Sequence, residues 1–219
     1  MPRRQQKVGT KGSQKWMQVL VNQYPSVLQE ALQIGPVTWL SPLASDEFAE
    51  YWDGSFLDVL GAPELCDQLY GFWPRSGPRW DALGINKSRA LVLVEAKSHA
   101  REMLTATSAS VKSLPKIQNA FQRLSTDWQV LITPQWTSEY YQYANRLAHV
   151  FFLNEICGRP AFLAFLYIVG DAAMRGPNSR SEWETIIDRT HRSLGVQSKL
   201  PPYVIDAFVD VSSGTPVAA

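Results

Sequence analysis

Asp81 and the triplet Glu95-Ala96-Lys97 are the residues whose types and spacing best suit chemistry. The triplet closes an aliphatic, β-branched run, Ala90 to Ala96 (ALVLVEA), that reads as a strand. Side chains alternate across a strand, so Glu95 and Lys97 share one face while Ala96 takes the other. Arg79 to Ile85 (RWDALGI) reads as the strand before it, with Asn86-Lys87-Ser88-Arg89 as the hairpin turn between the two. Such a hairpin brings Asp81 alongside the triplet. Two carboxylates and a lysine at one end of a sheet make a candidate Mg²⁺ site. That ion takes a few carboxylate oxygens and completes its shell with water and substrate phosphate, and Mn²⁺ is an acceptable substitute. A metal there polarises a phosphate and acidifies a bound water, while the Lys97 ammonium orients the water and offsets developing negative charge. The simpler alternative is an ion pair, Glu95–Lys97 or Asp81–Lys97, at a strand end. A buried strand end tolerates Glu and Lys only when they are paired or bound to something, and the site reading is the stronger of the two.

The strand pair RWDALGI…ALVLVEAK resembles the PD-(D/E)XK nuclease-like (restriction endonuclease-like) superfamily, whose core sheet carries Asp on one strand and Glu/Asp-x-Lys on the next. The segments WLSPLASDEFAEYWD, FWPRSGPRWDALG, YYQYANRLAHVFFL and NSRSEWETII look like a bacterial branch of that superfamily. The likeness thus covers most of residues 37–210, with one departure: Trp80 stands where the motif has proline. The resemblance implies a restriction-endonuclease-like core in which Asp81 and Glu95 bind Mg²⁺ and Lys97 assists the attacking water. It implies cleavage of phosphodiesters, in DNA ahead of RNA, and a homodimer if both strands of a duplex are cut. It also implies an upstream helical carboxylate. Among Glu30, Glu47 and Glu50 the choice falls on Glu50, because Tyr51 and Trp52 beside it suggest a packed helix end. The rival function is a nuclease-like module that binds nucleic acid or a protein partner without cutting. A third is a structural protein that docks a partner through its acidic block.

Charge is segregated along the chain. The formal net charge is +1, yet residues 1–29 hold Arg3, Arg4, Lys7, Lys11 and Lys15 and no acid. From Glu30 to Asp67 there are eight acids and no Lys or Arg, and from Arg75 to Arg123 nine basic residues face Asp81, Glu95 and Glu102. A near-neutral total is therefore compatible with a polyanionic substrate bound at one basic face. Arg75 and Arg79 are candidate phosphate contacts, with Trp73 and Trp80 nearby as stacking or core residues. Gln142, Arg146 and His149 fall at i, i+4 and i+7, one face of a helix that either meets substrate or is solvated. His99, directly after Ser98, reads as a loop histidine that could reach substrate.

The elements needed to hold these groups are legible as a pattern. Helices are expected over Lys15–Gln33 with a break at Pro25, from Ser45 through Trp52, from Gly61 to Tyr70, and at 114–124, 138–157 and 181–194. Further strands are expected at Phe162–Val169 and Tyr203–Val211. An apolar strand with no alternation implies burial on both faces, so the expected fold is α/β, a central mixed sheet flanked by helices. Residues 15–211 would form one domain between a basic tail (1–14) and a frayed end (212–219). Two cysteines make neither a disulfide framework nor a zinc site. No apolar run reaches the length of a membrane span and the basic N-terminus has no apolar segment behind it, so the expected setting is cytoplasmic.

Overall fold

The aliphatic run at the end of the hairpin forms a strand buried at every position, and the remaining elements cover it from both sides. The computed structural model describes residues 3–75, 77–107 and 109–219; Ser76, in the predicted loop 71–78, lies outside them. In chain order the elements are β1 (Arg3–Arg4), α1 (Gly12–Gln23), α2 (Pro25–Leu32), β2 (Val37–Ser41), β3 (Glu50–Tyr51), α3 (Ser55–Val59), α4 (Cys66–Phe72), β4 (Ala82–Asn86), β5 (Leu91–Lys97), α5 (Leu114–Trp128), α6 (Tyr141–Phe151), β6 (Ala161–Val169), α7 (Arg180–Leu194), β7 (Val204–Asp210) and β8 (Val217–Ala218).

Six strands form one mixed sheet in the order β2-β4-β5-β6-β7-β8. The pairs β2–β4, β4–β5 and β7–β8 are antiparallel, while β5–β6 and β6–β7 are parallel. Parallel neighbours need a crossover, and α5 and α6 supply it between β5 and β6. Alternation then divides the core. Leu91 and Leu93 face the layer that contains Phe121, Leu147 and Phe151, whereas Val92, Val94 and Ala96 face Leu20, Leu28 and Leu32 of α1 and α2. Burial on both faces accounts for the absence of polar alternation in β5.

The break at Pro25 is observed: α1 ends at Gln23 and Pro25 opens α2, where its missing N–H is harmless. Helix α7 starts on a cap in which Ser179 Oγ accepts from the Glu182 amide. Three expectations change. The helix expected from Ser45 is a short 3-10 turn, Ala44–Asp46, followed by Glu47 and Phe48 at φ 51° and 52°. Two successive left-handed residues cannot continue a right-handed helix, and the chain extends into β3 instead. Asp81 is not inside β4 but sits one residue before it, its amide bonded to the Val94 carbonyl at 3.1 Å. The two ends read as tails make strand contacts, β1 with β3 and β8 with β7.

Candidate active site

Strand β5 projects Glu95 and Lys97 to the α6 side, and their side chains meet, Lys97 Nζ donating to Glu95 Oε1 at 2.6 Å. Helix α6 answers with two residues one turn apart. Gln142 Oε1 accepts from Lys97 Nζ at 2.7 Å, and Arg146 Nε donates to Glu95 Oε2 at 2.6 Å. A second Arg146 nitrogen donates to the Arg79 carbonyl at 2.6 Å, and its guanidinium lies 4.8 Å from the centre of the Trp80 ring. Glu95, Lys97 and Arg146 are 2%, 5% and 3% exposed, so this is a buried ion triad rather than a solvated helix face. Arg146 is thus committed to Glu95 and the Arg79 backbone.

Asp81 reaches the triad through the backbone. Its Oδ2 accepts from the Ala96 amide at 2.8 Å, the residue between Glu95 and Lys97. Glu50 arrives from β3, which the bond from Trp80 N to Tyr51 O ties to the chain just ahead of Asp81. Glu50 and Asp81 both line a cleft of about 860 Å³ together with Arg75, Arg79, Gln142 and Arg146. Arg75 and Arg79 are exposed there, their guanidinium carbons 4.0 and 4.8 Å from the Tyr70 and Trp52 ring centres. Of the candidates named from sequence, Glu50, Arg75, Arg79, Asp81, Gln142 and Arg146 line one cleft, and Glu95 and Lys97 are buried behind it, bonded to Arg146 and Gln142 of its wall.

The carboxylates differ in charge state for physical reasons. Burial disfavours charge on Glu95, but the Arg146 and Lys97 cations beside it hold its pKa below the ordinary value. Burial and then the Glu95 charge push Asp81 up to about 8. Burial also raises Glu50, outweighing the nearby Arg79 cation. The donor chemistry fits Mg²⁺: oxygen only, with no second bond to Asp81 Oδ1 among the described residues, Glu50 beside it, and lone pairs remaining on Glu95. Among the described residues no three His, Cys, Asp or Glu side chains form a preformed cage, so any ion would take much of its shell from water and phosphate.

The other residues singled out by spacing have structural roles. His149 is fully buried among Phe56, Trp73 and Trp80, and its Nδ1–H donates to the Asn145 carbonyl at 2.9 Å. Burial lowers its pKa to about 3, which keeps it neutral. His99 Nδ1 accepts from the Arg101 amide and caps a short 3-10 turn. Trp73 and Trp80 are core residues, unavailable for stacking on bases. Sequence reasoning did not find Gln6, whose side chain hydrogen-bonds Glu50 and is itself an acceptor for Gln14 Nε2. A glutamine in a basic N-terminal stretch carries no local signal for such a role; only the pairing of β1 with β3 places it there.

Among the described residues no helix is long and apolar enough to cross a membrane. The chain matches no protein-family model, and neither a curated protein nor a solved structure is similar to it at a significant level.

Proposed function

We propose that this protein is a Mg²⁺-dependent phosphodiesterase acting on nucleic acid, a DNA endonuclease in the first instance, built on a restriction-endonuclease-like core. The observation that carries the reading lies at one end of the β4–β5 hairpin: Lys97 pairs with Glu95, and Asp81, which lines a cleft with Arg75 and Arg79, accepts from the Ala96 amide between them. Asp81 and Glu95 would hold the metal, with Glu50 as the third carboxylate. When bound, Mg²⁺ polarises the scissile phosphate and acidifies a coordinated water. The chain's own groups do the rest. Lys97 Nζ has three N–H donors, of which Glu95 and Gln142 take two, leaving one for the attacking water or a phosphate oxygen. The Ala96 amide fixes Asp81, and Arg146 keeps Glu95 ionised. Arg75 and Arg79 offset the phosphate charge of the approaching strand.

A second reading, a nuclease-like module that binds without cutting, is favoured by one detail. Both Glu95 oxygens are already engaged by cations, as in a self-satisfied structural ion pair. The two readings part in a cleavage assay on plasmid and single-stranded DNA with Mg²⁺ or Mn²⁺. Nicking by the wild-type protein that Lys97→Ala and Asp81→Asn abolish supports the enzyme. Equal residual activity in all three marks contamination and removes it, and metal-independent binding without turnover favours the module.

A further inference from the structure

The N-terminal segment packs beside the carboxylates. Arg4 is the register partner of Glu50 in the β1–β3 pair, and Gln6 N donates to the Glu47 carbonyl. Gln14 Nε2 and Gln18 Nε2 both donate to the Lys7 carbonyl, and Gln18 Oε1 accepts from the Gly9 amide at 2.7 Å. Helix α1 therefore pins the arm by its backbone at Lys7 and Gly9, while the side chains of Arg4, Lys7 and Lys11 stay exposed. Gln6 borders a gap of about 10 Å³ whose other walls include Glu50 and Asp81. Those same two carboxylates border the main cleft with Arg75 and Arg79. They form a partition: arginines on one side, the arm on the other.

The arm is basic and exposed. Arg3 is paired with Asp46, but Arg4, Lys7 and Lys11 are exposed, and among the described residues no carboxylate lies within ion-pair distance of them. Cations on both flanks of an acidic partition suit a chain of phosphates laid across it, since each flank neutralises the strand on its own side of the reacting bond.

We propose that residues 3–11 are a nucleic-acid clamp, in which Arg4 and Lys7 grip the phosphodiester backbone on the side of the carboxylates away from Arg75 and Arg79. The clamp rests on the nucleic-acid reading above, and its test separates the two. The full chain carrying Asp81→Asn, which removes a metal-binding charge with little change of shape, is titrated with labelled 30-nucleotide duplex and single-stranded DNA from 50 to 300 mM salt. Arg4→Gln with Lys7→Gln in that background should weaken binding several-fold at 100 mM salt. It should also lower the salt slope by about 1–2, at roughly 0.9 per duplex phosphate contact released. Lys7→Glu alone should weaken binding in the same direction, and because the Lys7 side chain is exposed and makes no hydrogen bond or ion pair among the described residues, its melting temperature should stay at the parent value. Lys87→Gln, on the turn at the opposite end of β4 and β5, should leave affinity and slope unchanged. Unchanged slope in the arm variants, or an equal loss from Lys87→Gln, overturns the clamp. Absence of binding by the parent at 50 mM salt overturns the nucleic-acid reading itself.

Discussion

Arg146 Nε lies 2.6 Å from Glu95 Oε2, so the carboxylate at the end of β5 is held from the facing helix as firmly as from Lys97 two residues along its own strand. A buried carboxylate with two cations is stable only as a set. Arg146→Ala leaves Glu95 facing Lys97 alone and should cost about 3–5 kcal/mol of unfolding free energy, measured by urea denaturation. Replacing the whole set, Arg146→Met with Glu95→Gln and Lys97→Met, should recover much of that loss. A triple variant no more stable than Arg146→Ala alone contradicts the set.

Lys97 is the residue that separates turnover from architecture. In the proposed enzyme Lys97→Ala should reduce the single-turnover cleavage rate by roughly 10²–10⁴. Gln142→Ala removes only one of its hydrogen bonds and should reduce the rate about five- to tenfold, equivalent to about 1–1.4 kcal/mol. A Gln142 variant as inactive as the Lys97 variant would mean that Gln142 does more than steady the ammonium.

Asp81 makes the protein sensitive to alkali when no cation is bound beside it. Its folded pKa is raised to about 8 by burial and the Glu95 charge, above the ordinary carboxylate value. The native state therefore holds a proton that the unfolded chain has released, and this contribution to stability, complete below about pH 4, disappears as pH rises through about 8. In EDTA, Asp81→Asn should be more stable than wild type at pH 8.5 by roughly 1–3 kcal/mol, with the gap closing towards pH 4. In the proposed enzyme Mg²⁺ would compete with that proton, so its apparent affinity should climb with pH up to about 8 and level off above. A flat affinity profile would contradict the raised pKa.

His149 has the opposite sign. Burial depresses its pKa to about 3, so the native state refuses a proton that the unfolded chain accepts near the ordinary value of 6.5. Its contribution is present above about pH 6.5 and is lost as pH falls towards 3, by at most about 1.4 kcal/mol per pH unit. His149→Phe, set in the cage of Phe56, Trp73 and Trp80, should flatten the stability profile between pH 6 and 4. An unchanged acid limb would assign that slope to other groups.

The parts of this fold that sequence discloses are those governed by local rules. β5 announces itself as an unbroken aliphatic run, Pro25 as a break, and Glu95-x-Lys97 as a shared face, because each depends on neighbours in sequence. The helix expected after Ser45 failed because Glu47 and Phe48 adopt a left-handed backbone that tertiary contacts impose and residue type does not advertise. β2 escaped because Val37–Ser41 alternates over only five residues, bounded by prolines at 36 and 42. Tyr51 and Trp52 mark Glu50 as packed, and it borders the cleft, but from an edge strand rather than a helix. The joining of Gln142 to Lys97 and of Arg146 to Glu95 spans 45 and 51 positions, beyond the reach of any spacing rule.

The parallel pairing of β5 with β6, in which Lys97 registers with Tyr167, has a kinetic meaning. All of α5 and α6 must be threaded before those two strands can meet, and such long closures slow folding because their entropy is lost before any contact rewards it. The groups on α6 reach Glu95 and Lys97 only once that crossover is in place. A chain arrested with just its β4–β5 hairpin formed would carry Asp81, Glu95 and Lys97 in register, yet lack Gln142 and Arg146. Quenching or anisotropy of a dye placed beside Arg146 should therefore lag behind hairpin formation in a refolding experiment, making the triad a timer for the final docking step.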